Sequence, residues 1–185
     1  MTGDSQRIFQ RRHLWRLTRA AYQAGVELLT QAASDRLGEI AAVVGIAQGG
    51  RAPAYAISAR AQIPTVIVSA RHNLSDDTYA QATGHVQCNL APLRQFADRP
   101  GPFLVVDDIC GTGATLAAVT DALTHIAVPG AVVCTATLCR NAGAPAGVPD
   151  LYVWDVADWV VFPWERLRGA GRMTPLPTPT KAQTS

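Results

Sequence analysis

The sequence predicts an α/β domain, a single mostly parallel sheet flanked by helices. Three observations carry this. Apolar runs at 39–47, 65–70, 102–108 and 131–139 show no polar alternation, as expected of strands covered on both faces. Stretches of helical character separate them, the signature of strand–helix–strand units. Small-residue turns follow two of the runs, "QGG" at 48–50 and "GTG" at 111–113. A length of 185 residues suits one domain, or one with a small appendage.

Residues 1–17 read as an N-terminal arm ahead of a domain spanning 18–168. Thr18 is placed to cap a helix through about Leu37, with an apolar stripe at Leu17, Ala21, Ala24, Val26, Leu28 and Leu29, although Gly25 weakens it. "EIAAVVGIA" (39–47) is a buried strand that meets the "QGG" turn. Pro53 fits the first turn of the next helix, which runs to about Arg60. "TVIVSA" (65–70) is a second buried strand. Residues 71–89 lack periodicity and read as a long loop or short hairpin. "PFLVVDD" (102–108) is the third strand, Thr112 to about Ile126 the helix after it, and "AVVCTATLC" (131–139) the fourth strand. "LYVWDV" and "WVVFP" are short β pieces. The Pro- and Thr-rich tail, 169–185, is expected to be disordered or loosely draped.

Composition excludes several classes of function. The formal net charge is only +2, which argues against a bulk electrostatic hold on nucleic acid. Arg7, Arg11, Arg12, Arg16 and Arg19 form a local basic cluster, read as a solvated helix face. Lys181 is the only lysine, so cationic work in the body of the domain falls to arginine. The four cysteines, Cys88, Cys110, Cys134 and Cys139, form no C-x-x-C pair and read as free, buried thiols. The four histidines, His13, His72, His85 and His125, show no motif spacing. No apolar run approaches the ~20 residues of a membrane span. Nothing resembles a secretory signal, and a cytoplasmic location is expected.

The chemistry concentrates in "FLVVDDICGTGATL" (103–116), where an apolar strand ends in two adjacent acids and a loop nearly free of side chains. Small residues let the backbone N–H groups at Cys110, Gly111, Thr112, Gly113, Ala114 and Thr115 converge. The following helix adds the positive end of its dipole, and the threonines add hydroxyl donors. The result is an anion cradle suited to a phosphate monoester. It lacks the G-K-[ST] of a nucleoside-triphosphate loop. Asp107 and Asp108 repel one another and call for hydroxyl donors or Mg²⁺. A ribose 5-phosphate meets both halves of this string.

These fourteen residues resemble the phosphoribosyl-pyrophosphate (PRPP) signature of the type I phosphoribosyltransferases. The resemblance spans roughly 18–167 and implies that family's fold, with Asp107 and Asp108 as catalytic acids that also hold Mg²⁺, partly through water or ribose hydroxyls. "VVGIAQGGRAPA" (43–54) is similar to the family's pyrophosphate loop, making Gln48, Gly49, Gly50 and Arg51 candidate ligands together with Arg71. The family often has a basic residue where this chain has Gln48. Residues 71–89 stand in the place of the family's mobile loop, whose closure excludes water. "VADWVVFPWERL" (156–167) resembles the C-terminal hood of the 6-oxopurine members, the xanthine-guanine and hypoxanthine type, with the hood at about 140–167. By that likeness Trp159 stacks on the base, Val160 and Glu165 present backbone groups to its edge, and Arg140 replaces a lysine that bonds its exocyclic oxygen. The family habit implies an oligomer, here expected to be a homodimer.

One departure bears on the base. Purine members commonly carry a third acid, near purine N7, where this chain has Gly111. Three explanations stand. The protein is a 6-oxopurine transferase without that acid, forgoing a factor of ~10²–10⁴ in proton handling. Alternatively, its acceptor is a 7-deazapurine, such as a 7-carboxy-7-deazaguanine, whose carboxylate pairs with Arg140, Arg71 or His72. In the third, it is a non-catalytic regulator that binds PRPP or a nucleotide.

Overall fold

A computed structural model describes residues 6–71, 87–97, 99–166 and 171–185. In chain order the elements are β1 (Leu14–Arg16), α1 (Arg19–Leu37), β2 (Ala42–Ala47), α2 (Arg51–Ala61), β3 (Thr65–Arg71), β4 (Gln87–Asn89), a 3₁₀ helix (Ala91–Phe96), β5 (Phe103–Cys110), α3 (Ala114–Ile126), β6 (Val133–Asn141), β7 (Leu151–Val156), β8 (Trp159–Val161), β9 (Thr174–Pro175) and β10 (Gln183–Thr184). The main sheet has the order β10-β7-β6-β5-β2-β3-β4. Its central ladders are parallel and its edge strands, β4 and β10, antiparallel.

Alternate residues of the central strands feed two cores. Val43, Leu104 and Val106 join Val26, Leu29, Ala54 and Ile57 from α1 and α2. Val44, Phe103 and Val105 join Leu93, Phe96, Leu116, Val119 and Leu123 from the 3₁₀ helix and α3. Burial on both faces is why these strands read as unbroken apolar runs. Thr18 does cap α1, accepting from Ala21 N at 3.2 Å. Gly25 is explained by packing: a Cβ there would come within 2.8 Å of the Trp154 ring. β5 runs past the two aspartates to Cys110 because β6 pairs with it as far as Arg140. α3 begins at Ala114 rather than Thr112, since Gly113 has φ +79, outside any right-handed helix.

Two expectations are corrected. The basic N-terminal cluster is no helix face. Residues 6–13 carry no helix or strand, with Arg11 at φ +56 and a bend at Arg12; β1 follows, and only Arg19 lies on a helix. The tail is not loosely draped. β9 pairs with β1, Leu176 is buried, Trp154 Nε1 donates to Pro177 O at 3.0 Å, and β10 extends the main sheet beside β7. Composition conceals this because Pro is tolerated on edge strands and one apolar residue suffices to dock a short segment. β1, β8 and β9 form a small second sheet.

Asp158 fixes the arm. Its carboxylate accepts from Arg11 N, and from Arg12 N and His13 N at 3.0 Å each, while it is only 3% exposed. We expect Asp158→Ala to lower stability by about 1–3 kcal/mol, because it leaves three backbone donors of the arm without their charged acceptor. Urea unfolding checks this, and an unchanged midpoint would show that water replaces the carboxylate freely.

Candidate active site

Strand order places the site. From β2 the chain steps outward one way to β3, and from β5 the other way to β6 and β7. The crevice between β2 and β5 is therefore the switch point where open α/β sheets bind ligands, at the carboxyl ends of the strands. The loops after these strands are the diglycine turn, 48–50, and the small-residue loop, 111–113. Register brings them together, with Gly45 opposite Val106.

Close approach explains the glycines. A Cβ on Gly50 would lie 2.3 Å from Val106 O and 2.7 Å from Asp107 Cα. A Cβ on Gly49 would lie 2.1 Å from a carboxylate oxygen of Asp108. The expected pyrophosphate loop and the expected diacid therefore share one crevice. Gln48 and Arg51 are exposed beside it.

Asp107 and Asp108 are partly buried, and Asp107 Oδ1 accepts from Asp108 N at 2.9 Å. The surrounding protein pushes the Asp107 carboxyl well above the usual range, and the neighbouring Asp108 charge adds to this. Desolvation raises Asp108 to about 7, reinforced by the Glu165 carboxylate and opposed by Arg7. A site that resists its own negative charge is prepared for a cation or for hydroxyl donors. In the loop, Thr112 Oγ1 accepts from Ala114 N at 3.4 Å. Gly113 caps α3 without a side chain, leaving the first turn of the helix open to an anion. Cys110 is buried, with its thiol pushed up to about 12 by desolvation, so it is no nucleophile.

The candidates for the base side are placed unequally. Trp159, on β8, is half-buried and meets Phe9 of the arm at a centroid distance of 6.2 Å. Val160 is buried and registers with Trp15. Glu165 turns back on its own segment: its N–H donates to Phe162 O at 3.0 Å and its carboxylate accepts from Phe162 N at 2.9 Å. Trp164 stacks on Phe162 at 5.2 Å and is half-exposed. Arg140 is engaged elsewhere. Its nitrogens donate to Val148 O at 3.1 Å, Ala144 O at 3.3 Å, Pro145 O at 3.2 Å and Asp155 Oδ1 at 3.3 Å. It clamps the 144–148 loop, whose Val148 packs against Gly113. Arg71 closes β3, but its side chain lies outside the described residues, as do His72, His85 and nearly all of the expected mobile loop. His13 stacks on Trp15 at 4.5 Å, and His125 Nδ1 lies 2.6 Å from Asp121 O, so neither serves the crevice.

Three residues of the site region escape the sequence reading. Arg7 reaches Gly111, and its charge is felt by Asp107, Asp108 and Cys110. Asn141, 1% exposed, exchanges two hydrogen bonds with Ile8, at 2.8 and 3.0 Å. Asp158 is the third. Their partners lie more than a hundred residues away in sequence, beyond any periodicity or local motif. The polar Asp158 inside "VADWVVF" is the one local signal.

Comparison with known proteins agrees with this geometry. The phosphoribosyl transferase domain family matches residues 17–166. No match was found among curated protein sequences. Among solved structures the fold is similar to a purine phosphoribosyltransferase from Pyrococcus horikoshii, at 22% identity and TM-score 0.66, covering 85% of this chain and 97% of that one. It is also similar to the xanthine-guanine-hypoxanthine phosphoribosyltransferase of Helicobacter pylori, at 21% identity and TM-score 0.68, covering 83% and 94%. A hypothetical protein from Neisseria gonorrhoeae with bound ppGpp aligns at 23% identity and TM-score 0.62, covering 84% and 90%. The diacid, the two glycine loops around it and the family match over most of the chain agree: this protein belongs to the phosphoribosyl transferase domain family.

Proposed function

We propose that this protein transfers the 5-phosphoribosyl group of PRPP to a purine-like base, either a 6-oxopurine or a 7-deazapurine, releasing pyrophosphate. The observation that supports it best is the convergence of the diglycine turn and the 111–115 loop on Asp107 and Asp108. The loop and the start of α3 take the 5-phosphate. The backbone at Gly49 and Gly50, with Gln48, Arg51 and Arg71, receives the diphosphate. Asp107 and Asp108 accept from the ribose hydroxyls and stabilise positive charge developing on the ring. Trp159 offers a face to the base, held in line behind C1. Catalysis of this kind rests on positioning and electrostatics rather than on a nucleophilic side chain.

The residues present fit Mg²⁺. Among the described residues no three His, Cys, Asp or Glu side chains form a metal cluster, which leaves the two aspartates. One or two carboxylates completed by substrate oxygens is the usual Mg²⁺ arrangement. When bound, the ion would neutralise charge on the departing diphosphate, with Asp107 and Asp108 holding it directly or through water.

The test is pyrophosphate release from PRPP and Mg²⁺ against hypoxanthine, guanine, xanthine, adenine, orotate, uracil, and 7-deazaguanines with and without a 7-carboxylate. Release is expected with a 6-oxopurine or a 7-deazaguanine and not with the pyrimidines. Silence across the panel while PRPP still binds would replace this reading with a ligand-binding regulator.

A further inference from the structure

The arm is built into the crevice. A Cβ on Gly111 would fall 2.4 Å from Arg7 Nε, 3.1 Å from its Cγ and 3.2 Å from its Cδ. The Arg7 side chain therefore lies along the backbone of Gly111, at the start of the 111–115 loop. The chain is clamped on both sides of it. Before Arg7, Gly143 lets Gln6 O approach so closely that a Cβ there would be 1.9 Å away. After it, Asn141 holds both the N–H and the carbonyl of Ile8. Asp158 then takes three further N–H groups, at residues 11–13. Phe9, two residues beyond Arg7, meets the Trp159 ring at 6.2 Å and 35°. The arm thus brings a cation to the loop and an aromatic ring to the tryptophan.

Resting on the reading above, we infer that Arg7 is a specificity-determining ligand for an anionic substituent on the acceptor base, borne on the edge that faces Gly111. Several observations support this over Arg140. Arg140 reaches toward the 144–148 loop, and Arg7 lies directly on the residue that has no side chain. A guanidinium offers a planar fork that matches a carboxylate. An anionic acceptor would be repelled from Asp107 and Asp108 without a cation beside it. The phosphate of the sugar has its own donors in the loop backbone and the start of α3, and Phe9 puts the arm on the side of the base.

Binding of product nucleotides tests this without requiring turnover. Calorimetry would compare 7-carboxy-7-deazaguanosine 5′-monophosphate with guanosine 5′-monophosphate, which share the ribose phosphate and differ in the base. The unaltered protein should favour the carboxylated nucleotide by at least tenfold, the scale of a hydrogen-bonded charge pair. Arg7→Gln should erase that preference and leave guanosine monophosphate within about twofold, while Arg7→Lys restores part of it. Gly111→Asp, which sets a carboxylate against Arg7, should erase it too. No preference in the unaltered protein would overturn the inference, and so would a preference that survives Arg7→Gln. Equal weakening of both nucleotides would assign Arg7 to the phosphate instead, and equal tightening would make the arm an obstruction. Loss of the preference in a protein that releases no pyrophosphate would keep the inference and remove the transferase reading. Release with no effect of Arg7 would do the reverse.

Discussion

Asparagine at both Asp107 and Asp108 will abolish pyrophosphate release, with kcat/KM falling by on the order of 10³-fold or more, since the pair is proposed to supply both ribose positioning and electrostatic stabilisation. The fold will survive. Asparagine has the same shape, and its oxygen at 107 can still accept from the N–H of residue 108. The effect on stability has a defined sign. Both carboxyls are raised in the folded protein, Asp108 to about 7, so the folded state favours the proton. The unfolded chain loses those protons near pH 4. Stability from this pair is therefore full below about pH 4 and is lost as pH rises through 7. The double variant lacks this loss. Its thermal midpoint should exceed that of the unaltered protein at pH 8, with the gap shrinking toward pH 4.5. Thermal scans and the release assay check both halves. A folded double variant that still turns over would remove the acids from the mechanism. A gap that grows toward low pH would contradict the assigned protonation.

Alanine at the adjacent glycines should separate folding from catalysis. At Gly50 the new methyl group meets backbone on every side, Val106 O at 2.3 Å, Asp107 Cα at 2.7 Å and Ile46 O at 2.8 Å. Two packed strands cannot yield cheaply, so Gly50→Ala should destabilise by about 3 kcal/mol. That corresponds to a fall of roughly 6–12 °C in the thermal midpoint for a chain of this size. At Gly49 the methyl group meets a single side chain, the Asp108 carboxylate, at 2.1 Å. That group can rotate away, so Gly49→Ala should cost less than about 1 kcal/mol of stability. Rotation, however, removes a ligand from its place, and a displacement of ~1 Å can cost 10²-fold in rate. Urea unfolding beside the release assay reads both. Full activity in Gly49→Ala would mean that the position of Asp108 seen here is not the one used.

Local sequence determined the parts of this protein whose physics is local. Strands buried on both faces need unbroken apolar runs, and β2, β3, β5 and β6 were legible for that reason. The cap at Thr18, the diacid at 107–108, the diglycine turn and the 111–115 loop were legible because caps, turns and anion cradles demand particular residue types at fixed spacing. Tertiary structure decided what depends on contacts across the chain. Gly25 reads as a weakness in its helix until Trp154 is found against it. The tail reads as unstructured until β1 and β7 receive its short strands. Strand order made the β2–β5 crevice the candidate site, and no single run encodes order. Arg140, placed by motif beside the base, donates to the carbonyls of its own loop, a contact no motif announces. Arg7, read as one charge in a solvated cluster, is carried into the crevice by Asn141 and Asp158, whose hydrogen bonds to the arm span more than 130 residues of chain. A charged side chain acquires its role from what faces it, and only the folded chain sets Arg7 against Gly111.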